Sequence, residues 1–349
     1  MKCTIQNIAD HLGLSRNTVS KALKNSSEVS ENTRNLVIKT ASKLGYKNAT
    51  FATPVIPASE TGSNGTILFL TRTYASDSEF WTTVLRGIES ILSNANYHLA
   101  ISIMSDSDLK QLNFPQTIYD SSIKGIILVE ICDKVVCDAL SQFNLPIVSV
   151  DMPNVPFEEL NGIDVVTMES KKNLKKIINQ LIEKGAESFG FVGDLYSPNV
   201  SRGFQERYNA LSECLAEHQL PLNQKNCLLH QTPEDFRNFQ TTVNNLQAMI
   251  SLPDVFICGN DWTAIQLIYA LQFLGFQIPK DICVVGFDNI PAASRISPSL
   301  TTISTPQKYL GIAAARQILE RIQHPNCPHV FCQYETELII RNSTNITSF

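Results

Sequence analysis

No run of roughly 18 consecutive apolar residues occurs in the 349-residue chain, so no segment is long enough to cross a bilayer as a helix. The N-terminus, MKCTIQNIADHLG, lacks the apolar stretch and small-residue cleavage site of a secretory signal, so the expected compartment is the cytoplasm, with no membrane partner. Cofactor and catalytic signatures are missing as well. No GxGxxG follows an apolar run, and GxxxxGK[ST], GxSxG and HExxH are all absent. The six histidines are too dispersed for a triad. No cofactor and no catalytic residue are expected, which argues against an enzyme. The nine cysteines form no CxxC pair and no regular framework; most lie inside apolar runs and read as reduced core thiols. His324, Cys327, His329 and Cys332 bring soft ligands close together in HPNCPHVFC, but Pro325 and Pro328 interrupt the segment and its spacing fits no standard zinc module. A crossover loop is expected there, and no metal.

The composition, 43% hydrophobic and 17% charged, is that of a globular protein, and the length suggests two or three compact units. Charge is unevenly spread. Residues 1–50 hold eight Lys/Arg against three acids, a balance of +5, whereas the whole chain carries −5. The body is therefore acidic at −10. A basic head on an acidic body suits a protein of which one end approaches phosphates, because each neutralised phosphate releases counterions. A small domain with a solvated basic face would have the same balance.

The head has its own pattern. Ile5, Ile8, Ala9 and Leu12 form one apolar stripe at i, i+3, i+4 and i+7, with Thr4 placed to cap the first turn. Gly13 breaks this helix, Leu14 points inward, and Ser15 caps a second helix running to about Lys24. Val19, Ala22 and Leu23 face inward from it, while Arg16, Asn17, Ser20, Lys21 and Lys24 face outward. After a polar loop, Ser30 caps a third helix whose Leu36, Val37, Thr40, Ala41 and Leu44 are expected in the same core, ending at Gly45. A helix presenting Arg and Asn near its N-terminus fits a DNA major groove, where Arg takes both acceptors of guanine and Asn the acceptor and donor of adenine. Arg16 and Asn17 are the expected base readers. Thr4, Ser15, Thr18, Ser20, Ser30 and Thr33 offer hydroxyls and helix N-termini to the backbone, and Lys21 can meet a phosphate or a base. The competing reading is a three-helix head that contacts protein through the same face.

The run TIQNIADHLGLSRNTVSKALKNSSEVSENTRNLVIKTASKLGYK resembles the DNA-binding head of the LacI/GalR family of repressors. It matches T-I-x-x-[IV]-A-x-x-x-G-[VL]-S-x-x-T-V-S-[RK]-x-L and the V-S-x-x-T-R ending that leads to L-G-Y. The resemblance implies a homodimer on a near-palindromic double-stranded operator, with Arg16, Asn17 and Lys21 selecting sequence. It also implies three parts: a helix-turn-helix head at 1–47, a linker at 48–65 and an effector-binding, dimerising body at 66–349. The linker departs from the pattern. KNATFATPVIPASETGSNG replaces the family's P-N-x-x-A-R-x-L hinge helix and has no counterpart of the leucine that wedges into the minor groove. Pro54 and Pro57 forbid a regular helix across its centre, which predicts an extended strap and less operator bending.

From Thr66 onward, short apolar runs (TILFLT, LAISI, GIILV, IVSVD, DVVT, FGFVG, DVFIC, DICVVGF) alternate with helical stretches such as 80–94, 169–184, 200–218 and 261–274. Continuous Val/Ile/Leu strands between helices mean parallel sheets covered on both faces, and this many suggest two doubly wound lobes. A ligand would lie in the cleft beyond the strand carboxyl ends. Lobe one is expected at about 66–162 and 291–323, lobe two at about 163–290 and 324–349.

The family resemblance extends through RGIESIL, the stretch from Arg207 to Leu220, FICGND onward to SLTTI, and ELIIRNST. It implies an effector domain similar to periplasmic sugar-binding proteins, hence an all-α helix-turn-helix head on an α/β body. The segment SEFW takes the place of the family's N-P-F-F, which implies Phe80 and Trp81 as cleft aromatics, Trp81 foremost; a core pair at a helix start is the plainer reading. Asp151 ends IVSVD, Asn260 and Asp261 end DVFICGND, and Asp288 ends DICVVGFD. Arg207 takes the place of the Arg in R-x-x-G-F, with Ala210 where the glycine stands. For Asp261 the alternative is a helix cap. These groups suit vicinal hydroxyls, so a sugar or sugar derivative is the expected effector of a repressor of carbohydrate-utilisation genes. Effector binding would close the cleft and change the spacing of two heads in a dimer. The alternative function is a sugar-binding protein or sugar-acting enzyme with a protein-contact head.

Overall fold

A computed structural model describes residues 4–23, 29–30, 33–34, 36–37, 40–41, 63–72, 78–195, 201–230 and 238–346, and two compact units divide at residue 62. In the head, α1 (Ile5–Leu12) opens on a reciprocal cap. The Thr4 hydroxyl accepts from the Asn7 N–H at 3.3 Å, and the Asn7 side chain accepts from the Thr4 N–H at 2.9 Å. Gly13, at φ 63, ends it by returning its N–H to the Ala9 carbonyl. Three residues later α2 (Arg16–Leu23) begins, with the Ser15 hydroxyl accepting from the Thr18 N–H at 3.0 Å. Thr33, Arg34, Leu36, Val37, Thr40 and Ala41 are helical too. Ile8, Ala9, Val19, Ala22, Val29, Val37 and Ala41 close the core. Leu36 does not join it as expected; it is 51% exposed. Val37, Thr40 and Ala41 set the buried stripe at i, i+3 and i+4, and Leu36 lies about 100° off that stripe. Lys24, Leu44 and Gly45 lie outside the described residues. So does the linker up to residue 62, and with it the extended-strap reading.

The body has two six-stranded sheets. The first contains β1 (Thr66–Arg72), β2 (His98–Met104), β3 (Ile123–Val129), β4 (Ile147–Val150), β5 (Ile163–Met168) and β11 (Phe331–Tyr334), all parallel, in the order β11-β5-β4-β3-β1-β2. The second contains β6 (Phe189–Asp194), β7 (Leu228–His230), β8 (Val255–Cys258), β9 (Cys283–Asp288), β10 (Thr301–Ser304) and β12 (Glu337–Ile339), in the order β12-β10-β9-β8-β6-β7, with β12 antiparallel to β10. The strands are buried apolar runs because helices cover both faces: α3 (Glu79–Leu92), α4 (Asp106–Gln111), α5 (Lys134–Ser141), α6 (Lys172–Glu183), α7 (Arg202–Glu217), α8 (Phe239–Ala248), α9 (Asp261–Phe273) and α10 (Gln307–Gln323). Helices α3 and α10 touch through glycines: a Cβ on Gly87 would collide with the Lys308 carbonyl, and one on Gly311 with the Val84 carbonyl.

The lobe limits read from sequence need correction. Strand β5 pairs with β4 and belongs to lobe one, as does β11; residues 291–304, with β10, belong to lobe two. The chain crosses between lobes three times, after β5, after β10 and after β11. Apolar runs such as DVVT carry no information about which sheet accepts them, since the pairing partner is set by where the crossover falls. Strands β7, β10 and β11 were not expected from the apolar pattern; they are three or four residues long and polar or mixed (LLH, TTIS, FCQY). The crossovers lie side by side. Glu169 N–H donates to the Tyr334 carbonyl at 2.8 Å, and the Asn173 side-chain amide to the Thr336 carbonyl at 2.7 Å. Behind them, fully buried Asp164 of β5 accepts two bonds from Arg321 of α10 at 2.8 and 3.0 Å and one from the Val330 N–H at 2.8 Å, which fixes the HPNCPHVFC segment.

Candidate functional site

The carboxyl ends of β3, β6 and β9 deliver Glu130, Asp194 and Asp288 to one cavity of about 570 Å³. Phe80 comes from the first turn of α3, Phe204 from α7, and Asn260, Trp262 and Gln266 from the start of α9. The local sequence accounts for each placement. Ser78 accepts from the Trp81 N–H at 3.4 Å and so starts α3 with Glu79 and Phe80 at the cavity. Asn260 accepts from the Thr263 N–H at 2.9 Å and is itself the cap of α9. Glu130 and Asp288 hold left-handed backbone, φ 57 and 117, a strained conformation that redirects a side chain where a strand ends. A wider groove of about 650 Å³ beside β7, from Asn223 to Ser251, has Lys225 as its one charged lining residue and no converging polar set among the described residues.

Of the residues expected from sequence, Phe80, Asn260 and Asp288 line the cavity; Trp81, Asp151, Arg207 and Asp261 stand behind its wall. Trp81 packs edge-on to Phe80, centroids 4.6 Å apart, and its indole works to lower the Glu130 carboxyl. Asp151 accepts from the Ser201 hydroxyl of lobe two at 2.6 Å and from the Met152 N–H at 2.8 Å. Arg207 lies over the Phe287 ring at 3.7 Å and donates to the Gly259 carbonyl at 2.6 Å, while its buried Nε has no partner. Asp261, fully buried, is not the helix cap. It accepts from the Thr302 hydroxyl at 2.5 Å and the Ile290 N–H at 2.9 Å, tying α9 to the loop after β9. Glu130, Asp194, Phe204, Trp262 and Gln266 were missed. The rule that singled out Asp151 and Asp288, an acid ending an apolar strand, applies equally to Glu130 after GIILV and to Asp194 after FGFVG.

Electrostatics follow from burial in a cleft rich in acids. Burial pushes Asp288 well above the usual carboxylate range; Arg207 opposes this, while Asp261, Asp151 and Glu130 add to it. Burial likewise raises Glu130 against Trp81 and Arg72, and Asp151 against Ser201, Met152 and Arg207. Asp261 is pushed up to about 6, burial outweighing its hydrogen bonds. Arg207 is lowered by burial, against the pull of Asp288 and Asp151.

In the head, Ser15, Arg16 and Asn17 are exposed and adjacent at the start of α2, with Thr18, Ser20 and Lys21 half-buried beside them. Thr4 and Ser30 cap their helices, Ser30 accepting from the Thr33 N–H at 3.4 Å, and both are exposed. Among the described residues no group of three or more His, Cys, Asp or Glu is arranged to hold a metal ion, and no helix is long and apolar enough to cross a membrane.

A family model for bacterial regulatory proteins of the lacI family matches residues 4–48, and one for periplasmic binding protein-like domains matches 178–344. The ribose operon repressor of Haemophilus influenzae (strain ATCC 51907 / DSM 11121 / KW20 / Rd) is 27% identical over 344 residues, covering 97% of this chain and 98% of that protein. The lac repressor dimer bound to operator and an anti-inducer has the same fold, with a TM-score of 0.67 at 19% identity over 99% of both chains. A LacI family regulator from Enterococcus faecium with bound ribose gives 0.66 at 24% identity over 80% of this chain and 98% of that one. A helix-turn-helix head with a two-lobed binding-protein body defines an effector-controlled, DNA-binding transcription regulator, not an enzyme. The chain belongs to the lacI family of bacterial regulatory proteins.

Proposed function

We propose that this chain is a cytoplasmic, homodimeric repressor of carbohydrate-utilisation genes whose operator affinity is set by a sugar or sugar derivative held between the lobes. The observation that carries this reading is the convergence of Asp288, Asn260, Glu130 and Phe80, from both lobes, on one cavity at the strand carboxyl ends. Carboxylates and an amide beside aromatic faces suit a polyol that offers hydroxyl edges and a C–H face. Arg207 acts on the ligand from behind the wall by setting the charge of Asp288, while Asp151, Asp261 and Trp81 hold the wall in place. The names of two similar proteins agree with this: a ribose operon repressor, and a regulator with bound ribose.

On DNA, Arg16 and Asn17 read bases, Lys21 meets a base or a phosphate, and Thr4, Ser15, Thr18, Ser20, Ser30 and Thr33 contact the backbone. Trp262, Tyr269 and Phe273, 40 to 69% exposed along α9, supply an apolar stripe for a second copy of the chain. Effector binding draws the lobes together about the three crossovers and resets the separation of the paired heads. The test is a thermal-shift screen of sugars, sugar phosphates and nucleobases with the intact protein, followed by operator binding with each hit. A hit that stabilises the body and changes operator affinity supports the reading; hits that never change operator affinity contradict it.

A further inference from the structure

We infer that the end of β4 and the first turn of α7 form a hook between the lobes, made when the cleft is closed and broken when it opens, through which cleft and operator are coupled. The inference rests on the effector-cleft reading above and adds the element that registers closure. Lobe one presents a rigid half. Asp151 holds left-handed backbone at φ 76, its N–H donates to the Val166 carbonyl of β5 at 3.1 Å, and its carbonyl accepts from the Ser149 hydroxyl at 2.6 Å. One carboxylate oxygen accepts from the Met152 N–H at 2.8 Å; the other is turned to lobe two.

Lobe two supplies the other half from one helical turn. The Ser201 hydroxyl donates to that second oxygen at 2.6 Å and accepts from the Phe204 N–H at 3.4 Å, so a single hydroxyl both caps α7 and joins the lobes. The Arg202 N–H donates to the Met152 carbonyl at 2.9 Å, and Pro153 pairs with Ser201 as an isolated antiparallel bridge. The Arg202 guanidinium lies 5.2 Å from the centre of the Phe331 ring of β11. None of these contacts is a covalent crossover. A lobe rotation that separates the two halves breaks them, because a hydrogen bond stretched beyond about 3.5 Å is lost. The same helix reaches the cleft: Phe204 lines the cavity, and Arg207 stacks on Phe287 beside Asp288. A ligand held between Phe80 of lobe one and Phe204, Asn260 and Asp288 of lobe two favours the arrangement that makes the hook, so each stabilises the other.

The test locks and wedges the hook in the full-length protein with no ligand added. Antiparallel partners stand about 4.5–5.5 Å apart at Cα, inside the disulfide range of about 4.4–6.8 Å. Pro153→Cys together with Ser201→Cys is therefore expected to give an intrachain disulfide with diamide, seen by mass spectrometry of the linked peptides and reversed by dithiothreitol. Ser201→Asp keeps a cap for α7 but sets a second carboxylate against Asp151, which wedges the hook open at pH 8. Circular dichroism confirms that the variants are folded, and the parent treated in the same way controls for its own cysteines. Operator affinity is read by anisotropy on an operator selected from random DNA with the parent. The oxidised double variant is expected to differ from its reduced form by about fivefold or more, and Ser201→Asp to differ from the parent in the opposite sense. Failure of the disulfide to form, equal affinity in the oxidised and reduced forms, or a shift of Ser201→Asp in the same sense as the lock overturns the hook. If the lock changes nothing while a sugar from the thermal-shift screen still changes the parent's operator affinity, the hook falls and the cleft reading stands. If the lock shifts operator affinity while the whole screen is silent, the hook stands and the cleft's sugar assignment falls.

Discussion

The Gln307 side-chain amide, at the start of α10 in lobe one, donates to the Asp288 carbonyl of lobe two at 2.6 Å. The Thr305 hydroxyl donates to the same carbonyl at 3.2 Å. Asp288 holds its left-handed φ of 117 at the cavity, so the crossover between lobes grips a residue that lines it. A ligand that moves Asp288 therefore pulls directly on the hinge. Gln307→Ala leaves a half-buried carbonyl with one donor fewer, and it is expected to cost about 0.5–1.5 kcal/mol in urea unfolding. It is also expected to shrink the effector-induced change in operator affinity while effector-free operator binding stays near normal.

Asp164 and Arg321 test the anchor of the C-terminal crossover. Both side chains are buried. Asp164→Ala strands a guanidinium, with an expected loss of about 3–5 kcal/mol in urea unfolding. Burial works to raise the Asp164 carboxyl, yet the bonds from Arg321, Val330 and Gln317 together bring it below the usual range. Its contribution is thus present above the unfolded-state value and lost as the pH falls.

Asp261 has the opposite sign. Its folded value of about 6 exceeds the ordinary 3.8, so the folded state holds the extra proton in between. Stability from this group declines as the pH rises from about 4 to about 6. Asp261→Asn keeps the acceptor for Ile290 N–H and removes the ionisation. The variant is expected to gain on the parent by roughly 3 kcal/mol between pH 4 and pH 7 in denaturant melts, two pH units at about 1.4 kcal/mol each. An unchanged difference across that range would contradict the buried, proton-holding state.

In the head, the hydroxyl of Ser15 caps α2 and Arg16 stands free of the core beside it. Ser15→Ala is expected to cost about 1 kcal/mol of head stability, seen by circular dichroism, with a modest loss of DNA affinity. Arg16→Ala is expected to leave stability within about 0.5 kcal/mol. It is expected to lose about 1–3 kcal/mol of specific binding, with non-specific binding much less affected, in anisotropy titrations.

Periodicity and capping residues were enough to read the head: Thr4, Gly13 and Ser15 mark boundaries that the structure reproduces. The exception, Leu36, shows that an apolar residue one step off a stripe carries no burial signal of its own. In the body, long Val/Ile strands were legible because burial on both faces excludes polar residues. Strands β10 and β11 were not, since TTIS and FCQY are held by their neighbours' ladders rather than by hydrophobic content. The lobe limits failed because an apolar run such as DVVT does not show which sheet accepts it. Asn260 and Asp288 followed from polar groups at strand ends and Phe80 from the family resemblance, whereas Trp81, Asp151, Arg207 and Asp261 were expected in the cavity and do not line it. Sequence names the strand end but not the direction a side chain takes, and that direction depends on backbone such as the left-handed Glu130.

The central claim is that occupation of the cleft controls reading by the head. It is tested most directly by selecting an operator from random DNA with the purified protein, then titrating it by fluorescence anisotropy with and without a saturating ligand found by thermal shift. Specific binding that is lost in Arg16→Ala, and that shifts about tenfold or more with ligand in the parent but not in Asp288→Asn, is the expected result. Operator affinity that stays the same when the cleft is filled would contradict the account.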